Sequence, residues 1–204
     1  RSSKLKKLYQ SAILLPFLMS MVILSYIVYA LLSSENGLVN NTILSALGIE
    51  AIQWYQEPKY WPFILVIANC WKGVGYGCLI YIASLIGIDP SFYEAARLDG
   101  ATKWQEITKI TLPCLVPTII TLLLLSIGRI FYSDFGLFYQ VPMNSGVLFP
   151  TTNVIDTYVY RALIEQGNIS MSSAAGVYQS LVGFVVVMIS NGIVRKVDKE
   201  QALF

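Results

Sequence analysis

The chain has 204 residues, of which only 13% are charged and 55% are hydrophobic. A typical soluble domain carries roughly 25% charged residues, so a mean hydropathy of +0.61 excludes a lone soluble enzyme and points to an integral membrane protein. The net charge of +2 gives no footing for nucleic acid, and the absence of His removes imidazole catalysis and His-based metal sites. Arg1 in place of Met gives the expectation that the chain is a piece lacking the protein's true start.

A helix needs about 20 mostly apolar residues to cross the hydrocarbon core. Four stretches qualify: 11–32, 61–86, 113–132 and 174–194. Lys4, Lys6 and Lys7 precede the first. Its apolar run is too long for a signal peptide's core, and no A-x-A cleavage site follows, so it is expected to be retained. Cys70, Cys78 and Cys114 form no CxxC pair and are expected to be small buried apolar residues.

Lys and Arg are distributed unevenly between these stretches. Ten lie before 11–32, in 87–112 and in the tail with Arg195, Lys196 and Lys199. Only Lys59 and Arg161 fall in 33–60 and 133–173. The positive-inside bias puts both ends and the 87–112 loop in the cytoplasm, with the other two loops outside. In the second outer loop Val154, Ile155, Tyr158, Val159, Ala162 and Leu163 recur at helical spacing. Thr152 or Asn153 can cap that helix and Gly167 can end it. A less distinct helix is expected around 41–47. The membrane bundle is expected to be one domain over 1–204.

The 87–113 segment has the outline of two short helices. Asp89 before Pro90 suits an N-cap, and Ser91 with Glu94 is a competing capping box. Gly100 supplies the positive φ that ends the first helix. Thr102 with Gln105 is a second capping box, opening a helix toward Leu112. Pro113 fits the entry to the next span. A stiff cytoplasmic protrusion and an interfacial helix resting on headgroups are both compatible with this spacing.

Glu94-Ala95-Ala96, Gly100 and Ile110-x-Leu112-Pro113 make the pattern E-A-A-x3-G-x9-I-x-L-P without a gap. This resembles the EAA loop of ABC importer permeases. Leu98-Asp99-Gly100-Ala101 with Trp104-Gln105 looks like the sugar-importer branch, the relatives of the maltose permeases. Trp71-Lys72-Gly73 and the run from Val154 to Arg161 look like the polysaccharide or lipo-oligosaccharide subfamily. Members usually have about six spans against four here, which fits loss of the first two.

The resemblance implies an all-α membrane bundle of the type I importer kind with cytoplasmic coupling helices, in a bacterial plasma membrane. It implies a carbohydrate cargo, an oligosaccharide in particular, moved by alternating access. The implied partners are a cytoplasmic ATPase dimer, a second permease that family habit makes a sister subunit, an external solute-binding protein and the lipid bilayer. Tyr93, Glu94, Ala95, Ala96, Asp99, Gly100, Ile110, Leu112 and Pro113 would carry coupling to the ATPase. Glu94 would make a charged contact or cap its own helix. No cofactor is expected on this chain. The pattern G-x-x-x-x-G-K-[ST] is absent from it, so ATP and Mg belong to the partner.

Lys72 lies mid-span, where insertion costs about 2.5–3.5 kcal/mol. It can line a translocation path, or be held by an ion pair or by snorkelling. Asn69, Tyr76 and Arg129 are further path candidates. The cluster Gly73-Val-Gly-Tyr-Gly77 suits close helix approach better than phosphate binding. A permease for a non-sugar solute is the alternative. A self-sufficient secondary transporter would want acids inside the spans, where none lies.

Gly100→Asp is expected to leave the protein in the membrane while uncoupling transport, because a larger residue at positive φ costs about 1 kcal/mol or more. Uptake and membrane abundance measured side by side check this, and normal uptake would contradict it.

Overall fold

The computed structural model describes residues 3–197, so Arg1 and Lys199 lie outside the described residues. The elements are all helical: α1 (Ser3–Leu18), α2 (Met21–Leu32), α3 (Trp61–Ile86), α4 (Pro90–Leu98), α5 (Lys103–Glu106), α6 (Leu112–Gly128), α7 (Phe135–Gln140), α8 (Phe149–Thr152), α9 (Ile155–Ile164) and α10 (Ile169–Val197). A π-helical turn, Ile107–Thr111, joins α5 to α6. Residues Lys103–Ile127 therefore run as one helical rod, and with α3 and α10 they make three helices long and apolar enough to cross a membrane.

The stretch expected to be one span at 11–32 is two helices, bent by 98° at Met19 and Ser20. Pro16 lies inside α1. Its ring crowds the preceding turn and it offers no N–H, so the helix weakens there. Ser20 then starts a new helix, its hydroxyl accepting from the Ile23 amide at 3.2 Å. The third stretch also differs. Its helix stops at Gly128, leaving Arg129 as the residue beyond, while its other end reaches back to Lys103 through the π turn. The last helix is longer than expected at both ends.

The chain divides into two compact units. The first contains residues up to Tyr76 and Tyr132–Val177. Its core is Leu24, Val28, Trp61, Leu65, Ala68, Leu137, Val141 and Leu148, where α2, the start of α3 and α7 meet. Trp61 is fully buried and donates its indole N–H to the Trp54 carbonyl at 2.8 Å. Helix α1 crosses α3 at Gly75, where an added Cβ would lie 2.6 Å from the Ile13 carbonyl oxygen. Of the glycines in that cluster, Gly75 carries the close approach; Gly73 and Gly77 have open space around them.

Two buried polar hubs organise the segments between the long helices. Asn40 accepts from the Ile52 amide at 3.2 Å and the Trp54 indole at 2.9 Å, and donates to the Ile52 carbonyl at 2.9 Å. It lies in a π-helical turn, Val39–Leu44, where the residues around 41–47 do become helical. Arg161 of α9 is buried, with its guanidinium 4.1 Å from the Phe149 ring centroid. It donates to Asn144 Oδ1 at 3.1 Å, to Thr157 Oγ1 at 3.3 Å and to Asn153 Oδ1. Beside this hub Met143 and Asn144 have φ of 55° and 46°, a region that non-glycine residues rarely adopt. Gly167 has φ +64° beyond α9, as its role of helix terminator requires.

The second unit comprises Gly77–Phe131 and the chain from Tyr178. Within it Ser84 and Thr118 share a hydrogen bond of 2.9 Å between α3 and α6. Gln179 of α10 donates to the Phe131 carbonyl at 2.7 Å. Helix α10 is inverted relative to a helix of a soluble protein. On α10 the buried residues Ser172, Gln179 and Asn191 are polar, whereas Leu181, Phe184, Val185 and Ile189 are exposed. A lipid surround imposes this pattern, since packed helices there gain from hydrogen bonds and lipid accepts apolar side chains. Cys70 and Cys114 are exposed, not buried as expected, and belong to the same apolar outer surface.

Gly75→Leu is expected to push α1 off α3 and lower the midpoint of thermal unfolding in detergent, at a cost of about 1–3 kcal/mol for overpacking. Gly73→Leu, facing open space, should leave it nearly unchanged.

Candidate functional site: the 87–113 loop and the in-span polar residues

The loop is built as two helices tied together. Asp89 caps α4, its carboxylate accepting from the Ser91 amide at 2.9 Å. The Asp89–Pro90 start is therefore the one adopted, and Glu94 stands exposed on α4 with no part in the cap. That amide also holds the Asp89 carboxyl below its ordinary range. At the other end Gly100 has φ +77°. The Ala101 amide reaches the Ala96 carbonyl at 2.9 Å and the Gly100 amide reaches Arg97 at 3.1 Å, the two bonds of a Schellman ending. Asp99 is the last residue before that turn. Thr102 and Gln105 then form the expected capping box, with bonds of 3.3 and 2.7 Å.

Two side-chain bonds, Arg97 to Glu106 and Tyr93 to Thr111, lock the pair, and Lys103 supports Glu106 from within α5. Glu106 accepts from Arg97 Nε at 3.0 Å and from Lys103 Nζ at 2.9 Å. Its own side chain is only 8% exposed, whereas both cations stand largely in solvent. Nearer the membrane end, Tyr93 and Thr111 share a hydrogen bond of 2.9 Å. Helix α4 is thus fixed at both ends to the rod that continues as α6. The Arg97 hydrogen bond first, then that of Lys103, holds the Glu106 carboxyl below its ordinary range. The same contact raises the Arg97 guanidinium.

Several apolar side chains on this loop have no cover. Leu98 is 89% exposed and Trp104 is 72% exposed, and Phe92 joins them. Ala95 is exposed and Ala96 half-buried, so α4 presents a slim surface between bulkier flanks. Ile110 is half-buried, and Leu112 and Pro113 are exposed at the start of α6. Glu106, Arg97 and Thr111 were not singled out by the sequence. The i, i+3 spacing of Lys103 and Glu106 was the available signal, whereas the Arg97–Glu106 contact depends on how the glycine turn folds the helices back.

Within the first unit, Lys72 and Tyr76 do not share a cavity with Asn69. Lys72 donates to the Phe17 carbonyl at 3.2 Å and to the Met19 carbonyl, at the break between α1 and α2. Tyr76, one turn along α3, stacks on Phe17 at 5.3 Å between ring centroids. Asn69 lines a separate cavity of about 260 Å³ with Pro62, Leu65, Val66, Leu137, Phe138 and Thr151. Arg129 belongs to the second unit and is exposed past the end of α6.

Long apolar helices interrupted by a braced polar helical pair describe a multi-span membrane protein. The sequence model described as "binding-protein-dependent transport system inner membrane component" matches residues 1–199, and the chain belongs to that family. It is 33% identical over 205 residues to the polygalacturonan/rhamnogalacturonan transport system permease protein YteP of Bacillus subtilis, covering 98% of this chain and 61% of that protein. It is 34% identical over 184 residues to the lactose transport system permease protein LacF of Rhizobium radiobacter, covering 89% and 60%. A crystal structure of a bacterial alginate ABC transporter, in complex with alginate pentasaccharide-bound periplasmic protein, contains a chain that superposes with a TM-score of 0.90. That chain is 35% identical, with 98% of this chain and 68% of that one covered. The present chain spans about three-fifths of the length of these curated relatives.

Glu106→Gln is expected to loosen α4 from the rod at neutral pH, seen as faster amide hydrogen exchange over residues 95–106. In the unaltered protein the lowered carboxyl means the tie is fully present above the ordinary carboxylate range. It is lost as pH falls through the lower folded value. Protection, the exchange rate taken relative to the intrinsic rate at each pH, should therefore be lost only in acid, and protection equal in both proteins at neutral pH would contradict the brace.

Proposed function

We propose that this chain is the core of the transmembrane subunit of an ATP-binding-cassette importer for an oligosaccharide, working by alternating access driven by a partner ATPase. The observation that carries this reading is the E-A-A-x3-G-x9-I-x-L-P loop, built as a two-helix lever continuous with a long apolar helix. An element that must transmit a push needs stiffness and a surface to be pushed on. The Glu106 and Tyr93 ties supply the first, and exposed Phe92, Leu98 and Trp104 supply the second.

In this reading Tyr93, Glu94, Ala95, Ala96, Asp99 and Gly100 form the docking segment for the cytoplasmic ATPase. Ala95 and Ala96 keep the helix slim enough for a cleft, and Glu94, exposed and outside the cap, is free for a charged contact. Ile110, Leu112 and Pro113 join the lever to the span. ATP and Mg reside on the partner, and a second permease and an external binding protein complete the assembly. The positive-inside count of ten against two supports both ends and the 87–113 loop on the cytoplasmic side. Carbohydrate cargo is supported by the polygalacturonan/rhamnogalacturonan, lactose and alginate systems to which the chain is similar. Asn69 is kept as a path candidate on its cavity, and Arg129 on its exposed position.

The test is affinity purification of the full-length protein from native membranes in mild detergent, with every co-purifying chain identified. An ATPase, a second permease and a surface binding protein are the expected companions. Reconstituted with them, the complex should take up labelled oligosaccharide in an ATP-dependent manner. Recovery of the permease alone, under conditions that keep a known importer intact, would refute the coupling assignment. ATP-driven uptake of a non-sugar solute alone would refute the cargo.

A further inference from the structure

We propose that Lys72 is a positioning residue: its ammonium latches the break between α1 and α2 inside the apolar layer and so sets the direction in which α1 leaves. The inference rests on the chain spanning a membrane and not on the cargo or the ATPase.

Two lengths place the break at depth. Helix α2 has 12 residues, which rise about 18 Å and cannot cross a core of about 30 Å. Its far half packs against the start of α3, through Val28, Trp61 and Leu65. Lys72 is reached after about 17 Å of α3 counted from Trp61. Measured along two antiparallel helices from the same end, the break and Lys72 thus fall at one level.

At that level an open helix end has no water to satisfy it. The end of α1 leaves carbonyls without amide partners, and each such group costs several kcal/mol in hydrocarbon. The carbonyls of Phe17 and Met19 are both taken by Lys72 Nζ. On the other side of the break Ser20 caps the Ile23 amide. The cation also sits where the partial negative charge of the α1 dipole is greatest. Among the described residues Lys72 enters no ion pair, so these carbonyls are its compensation. Gly75 admits the α1 backbone and Tyr76 stacks on Phe17. Three residues of one α3 turn therefore grip the last turns of α1, and Lys72 supplies the polar part of that grip. Two of its three N–H donors point to the break, which is a placement for holding structure and not for contacting cargo.

The experiment uses the full-length complex, with spin labels at Leu8→Cys on α1 and Val66→Cys on α3 and the native cysteines replaced. Both positions are exposed. Lys72→Arg, which keeps charge and donors, should retain the narrow distance distribution of the unaltered protein. Lys72→Met should broaden it and lower maximal transport while leaving the substrate concentration for half-maximal uptake unchanged. If Lys72→Met does not assemble, Lys72→Gln is read instead; its shorter amide cannot span both carbonyls and should also broaden the distribution. An unbroadened distance in Lys72→Met or Lys72→Gln, a broadened one in Lys72→Arg, or a shifted half-saturation at unchanged distance would overturn the latch. The distance readout needs no transport, so an error in the importer reading leaves it intact.

Discussion

Backbone amides and carbonyls must find partners within the protein wherever lipid excludes water, and the membrane part of this chain is shaped by that constraint. Unbroken helices meet it by themselves. On α6 the hydroxyls satisfy themselves by folding back onto the helix, with Thr121 donating to the Pro117 carbonyl at 2.9 Å and Ser126 to the Leu122 carbonyl at 2.8 Å. Where the first apolar stretch breaks, a serine caps one side and a lysine the other. The same constraint turns α10 inside out, with its amides and hydroxyls toward protein.

The 87–113 loop answers to a different medium. Here charges are cheap, and Asp89, Arg97, Lys103 and Glu106 are spent on caps and ties. Exposed ion pairs contribute little to stability, but Glu106 is shielded by its own two partners and links positions nine residues apart. The tie acts on geometry: α4 cannot tilt without dragging the rod that becomes α6. The continuous helix from Lys103 to Ile127 has two evident soft joints, the π turn at Ile107–Thr111 and Pro117.

Between the long helices, order comes from buried polar hubs and not from a large apolar core. Asn40 gathers the 33–60 segment by bonding residues twelve and fourteen positions away. Arg161 gathers residues 144–157 with neutral acceptors and one aromatic face. Removing such a hub strands its partners, which costs more than the bond itself contributes.

Local features were legible in the sequence because their causes are local. The apolar runs, the two caps at Asp89 and Thr102, the left-handed glycines at 100 and 167 and the short helix at 155–164 follow from residues within one turn of each other. The E-A-A-x3-G-x9-I-x-L-P pattern was legible for the same reason, its spacing being that of two capped helices. Pro16 and Ser20 also stood in view, yet composition alone reads 11–32 as a single span. Only packing against α3 at Gly75 and the reach of Lys72 make the bend affordable. The partners of Lys72, Glu106, Asn40 and Arg161 lie as far as 55 residues away. Sequence spacing carries no information about the distant pairs, Lys72 with Phe17 and Met19 or Asn40 with Ile52 and Trp54, because they exist only once the chain folds back on itself. The sequence by itself determined a helical membrane protein with a capped loop. Tertiary structure decided what the costly polar residues do, since a charge or amide in an apolar surround is defined by whichever group the fold brings within hydrogen-bonding distance.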